Sequence, residues 1–87
     1  MAIRKEAKAG TLESSDALVL VAPSEEALRI EVQSVVQKRF GKAILALARE
    51  VCAVFGVEKG IVRVNDKGAL ECTLRARLET ALERAAG

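Results

Sequence analysis

Leu28-Arg29-Ile30-Glu31-Val32-Gln33 is followed by Phe40-Gly41-Lys42-Ala43-Ile44-Leu45-Ala46-Leu47-Ala48-Arg49-Glu50-Val51-Cys52-Ala53-Val54-Phe55-Gly56, and then by Ile61-Val62-Arg63-Val64. In the first piece Leu28, Ile30 and Val32 alternate with Arg29, Glu31 and Gln33. That period of two belongs to a strand with one face in the core and one in water. The alternation extends to about Val36. The period then changes. Phe40, Ile44, Leu47, Ala48, Val51, Val54 and Phe55 recur at helical spacing, and Lys42, Arg49 and Glu50 take much of the other side. Gly41 blurs the start of this helix, while Gly56 is a natural stop just past its last turn. Ile61 and Val64 lie in a short strand after Gly60. Strand, helix, strand at this spacing is a crossover unit, so the two strands are expected to be parallel and the connection right-handed.

Upstream, Ala17-Leu18-Val19-Leu20-Val21-Ala22 is apolar on both faces, as a central strand is. Pro23-Ser24-Glu25-Glu26 is expected to break it. Lys8 to Glu13 reads as a short strand whose Gly10 indicates an edge or a bulge. Residues 1–7 are polar and expected to fray. Downstream, Asn65-Asp66-Lys67-Gly68 is a turn, with an acid suited to a helix N-terminus. Leu70, Leu74, Leu78, Ala81, Leu82 and Ala85 then keep helical spacing, with Glu71 one turn before Arg75 as a favourable pair. The element order is βββαβα. The expected fold is α+β, a two-layer sandwich of a mixed four-stranded sheet with two helices on one face. The strand order stays open, and no internal repeat or low-complexity segment is visible.

The 87 residues suit a single domain, 1–87, with 51% hydrophobic and 30% charged residues to build a core and a wet surface. A domain of this size is marginal and leans on partners. No apolar run is long enough to span a bilayer. Met1-Ala2-Ile3-Arg4-Lys5-Glu6 lacks the apolar segment of a signal peptide, which places the chain in the cytoplasm. A net charge of +2 does not imply nucleic acid. Phe40 and Phe55 are the only aromatic residues, too few for a base-stacking platform. The chain has no histidine, and so lacks the usual base for an activated Ser or Cys and the commonest metal ligand. Cys52 and Cys72 form no Cys-x-x-Cys pair and read as two reduced, partly buried thiols. No catalytic constellation can be assembled.

Chemistry is concentrated in Gly10-Thr11-Leu12-Glu13-Ser14-Ser15-Asp16, between the first two strands. Gly, Ser and Asp are turn formers, so Ser14 and Ser15 are expected at a hairpin tip, in water. They are either plain turn residues or a site of modification, and the local residues allow either serine. Glu13 and Asp16 either help a modifying enzyme recognise the tip or keep it soluble. Arg75 and Arg77, with Arg63, Lys67 and Arg84 near them in sequence, are read first as a solvated face with ion pairs. The alternative is a docking surface for an acidic partner or for phosphate, a reading that Arg4, Lys5 and Lys8 also invite.

Gly10 through Ser14 with Asp16, Phe40-Gly41 after a strand, Asp66-Lys67-Gly68-Ala69-Leu70-Glu71-Cys72 and the tail Leu74-Arg75-Ala76-Arg77-Leu78-Glu79 together resemble the acyl carrier (gamma) subunit of bacterial citrate lyase. The similarity runs over essentially the whole chain. In that family the place of Ser15 is often glycine. The resemblance implies a non-catalytic acyl carrier, unrelated in fold to the helical carriers of fatty acid synthesis. It implies that Ser14 bears 2'-(5''-phosphoribosyl)-3'-dephospho-coenzyme A through a phosphodiester, installed by a dedicated prosthetic-group transferase. The terminal thiol of that group, rather than Cys52 or Cys72, would carry the acyl group as a thioester. The alpha subunit of the lyase would exchange bound acetyl for citryl, and the beta subunit would release oxaloacetate. Neither a metal on this chain, nor nucleic acid, nor a membrane is implied. Two alternatives stand beside it: the related carrier subunit of malonate decarboxylase and, more remotely, a small α/β nucleic-acid-binding module.

Overall fold

The crossover is present. A computed structural model describes residues 1–35 and 37–87, and the side chains of all of these but 37–40. It contains β1 (Ala7–Gly10), β2 (Ala17–Ala27), β3 (Arg29–Ser34), α1 (Gln37–Val54), β4 (Lys59–Asp66) and α2 (Glu71–Ala86). β3 and β4, joined through α1, lie parallel, with Arg29 opposite Ile61 and Ser34 opposite Asp66. β2 runs antiparallel to β4, from Ala17 opposite Asp66 to Ala22 opposite Ile61. β1 pairs antiparallel with β2, so the order across the mixed sheet is β1-β2-β4-β3. β2 is thus central and β1 an edge, as their sequences indicated.

One face of the sheet carries the core. Ala17, Val19 and Val21 of β2 and Val62 and Val64 of β4 are buried, at the period of two a one-sided strand requires. Ile44, Leu47, Ala48, Val51 and Cys52 of α1 and Leu74, Leu78, Ala81, Leu82 and Ala85 of α2 join them in one cluster. Burial pushes the Cys52 thiol up to about 11. Leu18, Leu20, Ile61 and Arg63 occupy the opposite, open face of the sheet, all of them at least partly exposed. Among the described residues, no helix is long and apolar enough to cross a membrane.

Several boundaries differ from the sequence reading. β1 ends at Gly10 rather than reaching Glu13. β2 continues through Pro23-Ser24-Glu25-Glu26 to Ala27, with a register shift between Ala22 and Ala27. Pro23 falls inside that irregularity, where a missing N–H removes no ladder bond. Val54 is 77% exposed, because the buried stripe of α1 passes through Val51 and Cys52 to Phe55. Leu70 is 72% exposed, since it is the extended N-cap residue and precedes the first helical turn. Cys72 is exposed, not packed. The core place expected for Phe40 falls among the undescribed side chains, and Val36 lies outside the described residues.

The first residues are held, not frayed. The Met1 ammonium donates to the Gly56 carbonyl at 3.0 Å. The Arg4 and Lys5 N–H groups donate to the Ala85 carbonyl at 2.9 and 3.3 Å. The last carbonyls of a helix lack intrahelical donors, so they take partners from whatever chain passes. Ile3 packs against the core beside Gly60, where a Cβ would meet the Ile3 side chain at 2.6 Å.

Leu78 is fully buried at the centre of α2. Leu78→Ala is expected to lower stability by about 3 kcal/mol, a cavity-sized effect. Val54→Ala, on the surface, should change it by less than about 0.5 kcal/mol. Urea unfolding of the two variants checks both; equal losses would contradict the placement of α1 and α2.

Candidate attachment site

Three connections meet at one end of the sheet: the β1–β2 hairpin, the exit from β3 and the turn from β4 into α2. The strand directions require this, because β3 and β4 both finish where β2 begins. The turn into α2 is built on Asp66. Its carboxylate is buried, accepting the Ser34 hydroxyl at 2.7 Å on Oδ2 and the Ala69 N–H at 2.9 Å on Oδ1. The acid expected to lead into the last helix thus also ties that turn to the end of β3. A buried carboxylate is tolerable only with such partners.

The hairpin loop is stitched to this turn. The Ser15 N–H donates to the Lys67 carbonyl at 2.8 Å, and the Lys67 N–H donates to the Asp16 carbonyl at 2.9 Å. Inside the loop, the Asp16 N–H donates to the Glu13 carbonyl at 3.1 Å and the Glu13 N–H to Thr11 Oγ1 at 3.2 Å. Gly10 opens the loop at a φ of 95°, and a Cβ there would overlap the Ala17 carbonyl oxygen. Only glycine meets both conditions.

Asp16 anchors the loop to the helix layer. Arg77, in the second turn of α2, grips it as a fork: Nε donates to Oδ1 at 3.0 Å and Nη2 to Oδ2 at 3.2 Å. The Thr11 hydroxyl adds a bond to Oδ2 at 2.6 Å, and the Ala17 N–H one to Oδ1 at 2.7 Å. The Arg77 guanidinium, then the Thr11 hydroxyl and the Ala17 N–H, hold this carboxyl well below the usual carboxylate range. Asp16 is therefore a structural anion with both oxygens occupied, and a poor proton acceptor.

Ser14 sits at the crest of this braced loop. It is exposed, and among the described residues none hydrogen-bonds its hydroxyl. Ser15, beside it, is also exposed but has a φ of 66°, in the left-handed region where glycine is favoured. A glycine would take this φ without strain. The two serines thus differ in backbone alone: Ser15 is bonded through its N–H and held at a positive φ, while both side chains are exposed.

Four arginines are each engaged by a different partner. Arg77 belongs to Asp16, Arg75 donates to Glu50 of α1 at 2.8 Å, Arg63 to Glu31 at 2.7 Å, and Arg84 to the Lys8 carbonyl at 2.8 Å. Glu71, expected to partner Arg75 along the helix, gives way to Glu50. The Asp16–Arg77 fork was not legible in the sequence. Its members are 61 positions apart, and Arg77 carries no local mark beyond its place in the last helix.

Because folding depresses the Asp16 pKa, its contribution is fully present above the unfolded carboxylate value of about 3.9. It is lost as pH falls below that toward the folded value. Wild-type stability is expected to drop across this acid window, and Asp16→Asn should show a smaller drop while being less stable at pH 7. Urea midpoints at neutral and acid pH test this. Identical pH slopes for both proteins would show that the fork does not act.

Comparison with known proteins places this geometry among carriers. Residues 4–85 match a family model described as Malonate decarboxylase delta subunit (MdcD). The chain is 53% identical over 87 residues to citrate lyase acyl carrier protein 2 of Salmonella paratyphi A, covering 99% of this chain and 90% of that protein. It is 52% identical to citrate lyase acyl carrier protein of Escherichia fergusonii and 47% identical to that of Klebsiella pneumoniae, with the same coverage. Among solved structures, it resembles a chain in a Pseudomonas malonate decarboxylase hetero-tetramer crystallised with malonate. That match has a TM-score of 0.83 and 26% identity, over 95% of this chain and 86% of the other.

Proposed function

The chain belongs to the acyl carrier family that joins the citrate lyase acyl carrier proteins to the malonate decarboxylase delta subunit, and from that premise we propose that it is the carrier subunit of a citrate lyase, modified on Ser14. The observation that supports this choice is an exposed serine on a loop braced to two other elements, with Ser15 set apart as the turn residue by its positive φ. The group proposed there is 2'-(5''-phosphoribosyl)-3'-dephospho-coenzyme A, joined through a phosphodiester to Oγ. Its terminal thiol supplies the thioester chemistry when it is bound.

The residues present fit such a group. An exposed hydroxyl oxygen is open to phosphoryl transfer. Asp16, the acid nearest in the loop's hydrogen bonding, is held ionised by Arg77 and cannot serve as the base. On this reading the base arrives with a transferase. The loop's contribution is position: it keeps the attachment oxygen at a fixed distance from the body that docks on each active site. A tether of fixed origin converts encounters with two sites into intramolecular ones. The partners on this reading are the alpha and beta subunits of citrate lyase and the prosthetic-group transferase. A cytoplasmic setting fits the two free thiols, Cys52 and Cys72.

Identities of 47–53% to citrate lyase carriers favour that complex. A second reading, the carrier of a malonate decarboxylase, is favoured by the family model and by the shared fold of the Pseudomonas chain. Acyl exchange with purified partner subunits separates them: acceptance of malonate and refusal of citrate would select the second.

Intact mass after co-expression with the modifying enzymes is expected to rise by one prosthetic group. Ser14→Ala should abolish the increase with the fold unchanged by circular dichroism. Ser15→Ala should keep it. An adduct that survives in Ser14→Ala, or disappears only in Ser15→Ala, assigns the wrong serine.

A further inference from the structure

The hairpin tip is a four-residue turn set on a bulge. The Asp16 N–H donates to the Glu13 carbonyl at 3.1 Å, so Ser14 and Ser15 are the two central residues of the turn. Ser15 has a φ of 66°, and a positive φ at the second central place is the type II form. Below the turn, Ser15 and Asp16 face one residue, Lys67, which follows β4. The Ser15 N–H donates to the Lys67 carbonyl at 2.8 Å, and the Lys67 N–H donates to the Asp16 carbonyl at 2.9 Å. Two residues against one, the first in the left-handed region, make a bulge of the kind that glycine usually opens. Ser14 thus directly precedes a residue bonded to Lys67.

Two cationic residues hold this loop, and they differ. Arg77 grips Asp16 with its guanidinium. Lys67 holds the loop through its backbone, and among the described residues its ammonium has no hydrogen bond or ion pair. The two carboxylates built into this pole are not open to it. Asp16 is filled by Arg77, Thr11 and the Ala17 N–H, and Asp66 by Ser34 and the Ala69 N–H. Glu13 and Glu71, both exposed, make no ion pair with it. Backbone dimensions put the Cα atoms of Ser14 and Lys67 within about 8 Å of each other. The flexible four-carbon stem of a lysine covers much of such a span, and its ammonium meets phosphate as a point charge. The group proposed on Ser14 begins with a phosphate on Oγ itself, and a phosphodiester is an anion at neutral pH. We propose that the Lys67 ammonium is the counter-charge of that phosphodiester and sets the direction in which the group leaves the loop. An ion pair in water is weak and is screened by salt. It biases the root of the group and leaves the rest able to swing.

This pairing rests on the attachment at Ser14, and the experiment separates the two. Lysine-labelled protein is prepared unmodified and modified, and intact mass with peptide mapping records the adduct. The side-chain Cε–Hε resonances of Lys67 are expected to move on modification, and to move less as salt is raised. Those of Lys59, at the far end of β4, should stay in place. The phosphodiester phosphorus resonance of modified protein should shift in Lys67→Gln and return toward its wild-type position in Lys67→Arg. Where Lys67→Gln takes no label, the wild-type lysine resonances decide alone. Lys67 resonances that do not move in fully modified protein, or that move equally at low and high salt, overturn the pairing and leave the attachment standing. Absence of the adduct on Ser14 overturns both, and mass alone reports it.

Discussion

The bidentate grip of Arg77 on Asp16 sets the form of the functional end of this molecule. A six-residue hairpin loop rich in small polar residues has many conformations in water, and ordering them costs free energy. Here one carboxylate takes four hydrogen bonds: two from the guanidinium, one from the Thr11 hydroxyl and one from the Ala17 amide. These fix where the loop leaves β1, where it enters β2 and how it sits on α2. The two backbone bonds to Lys67 then join it to the neighbouring turn. The side chains at the tip, Ser14 among them, stay exposed on this braced frame.

A second carboxylate organises the same end from inside. Asp66 is buried, and its oxygens reach β3 through Ser34 and the entry of α2 through Ala69. Two acids one turn of architecture apart thus do different work. Asp16 braces a loop in contact with water, and Asp66 closes a seam in the core. Both are taken up in structural hydrogen bonds.

Much of the fold could be read from pattern. The switch from period two at Leu28–Val32 to helical spacing at Ile44–Val51 and back at Ile61–Val64 contains the parallel crossover, because no shorter connection can join parallel strands. The doubly apolar run Ala17–Ala22 marked the central strand. It misleads on one point: Leu18 and Leu20 meet no second layer, so hydrophobicity on both faces here means one face against helices and one left open. Pro23 read as a break because local chemistry forbids a ladder bond there, while the sheet instead accommodated it in an irregular stretch. At the site, turn chemistry read Ser14 and Ser15 alike as exposed tip residues, which the structure bears out, and did not choose between them. The Asp16–Arg77 fork could not be read, since a contact between residues 16 and 77 exists only once α2 has packed across β1 and β2.

The clamp on the first residues has an implication for geometry at the scale of a complex. Met1 is held at Gly56, and Arg4 and Lys5 are held at Ala85, so the head and tail of this stretch share one pole. That pole is remote from Ser14, because α1 ends and β4 begins there, whereas the hairpin tip lies where β4 finishes. A fusion partner, surface anchor or fluorophore joined through a spacer at the C-terminal side therefore faces away from the hairpin tip and leaves that pole unobstructed.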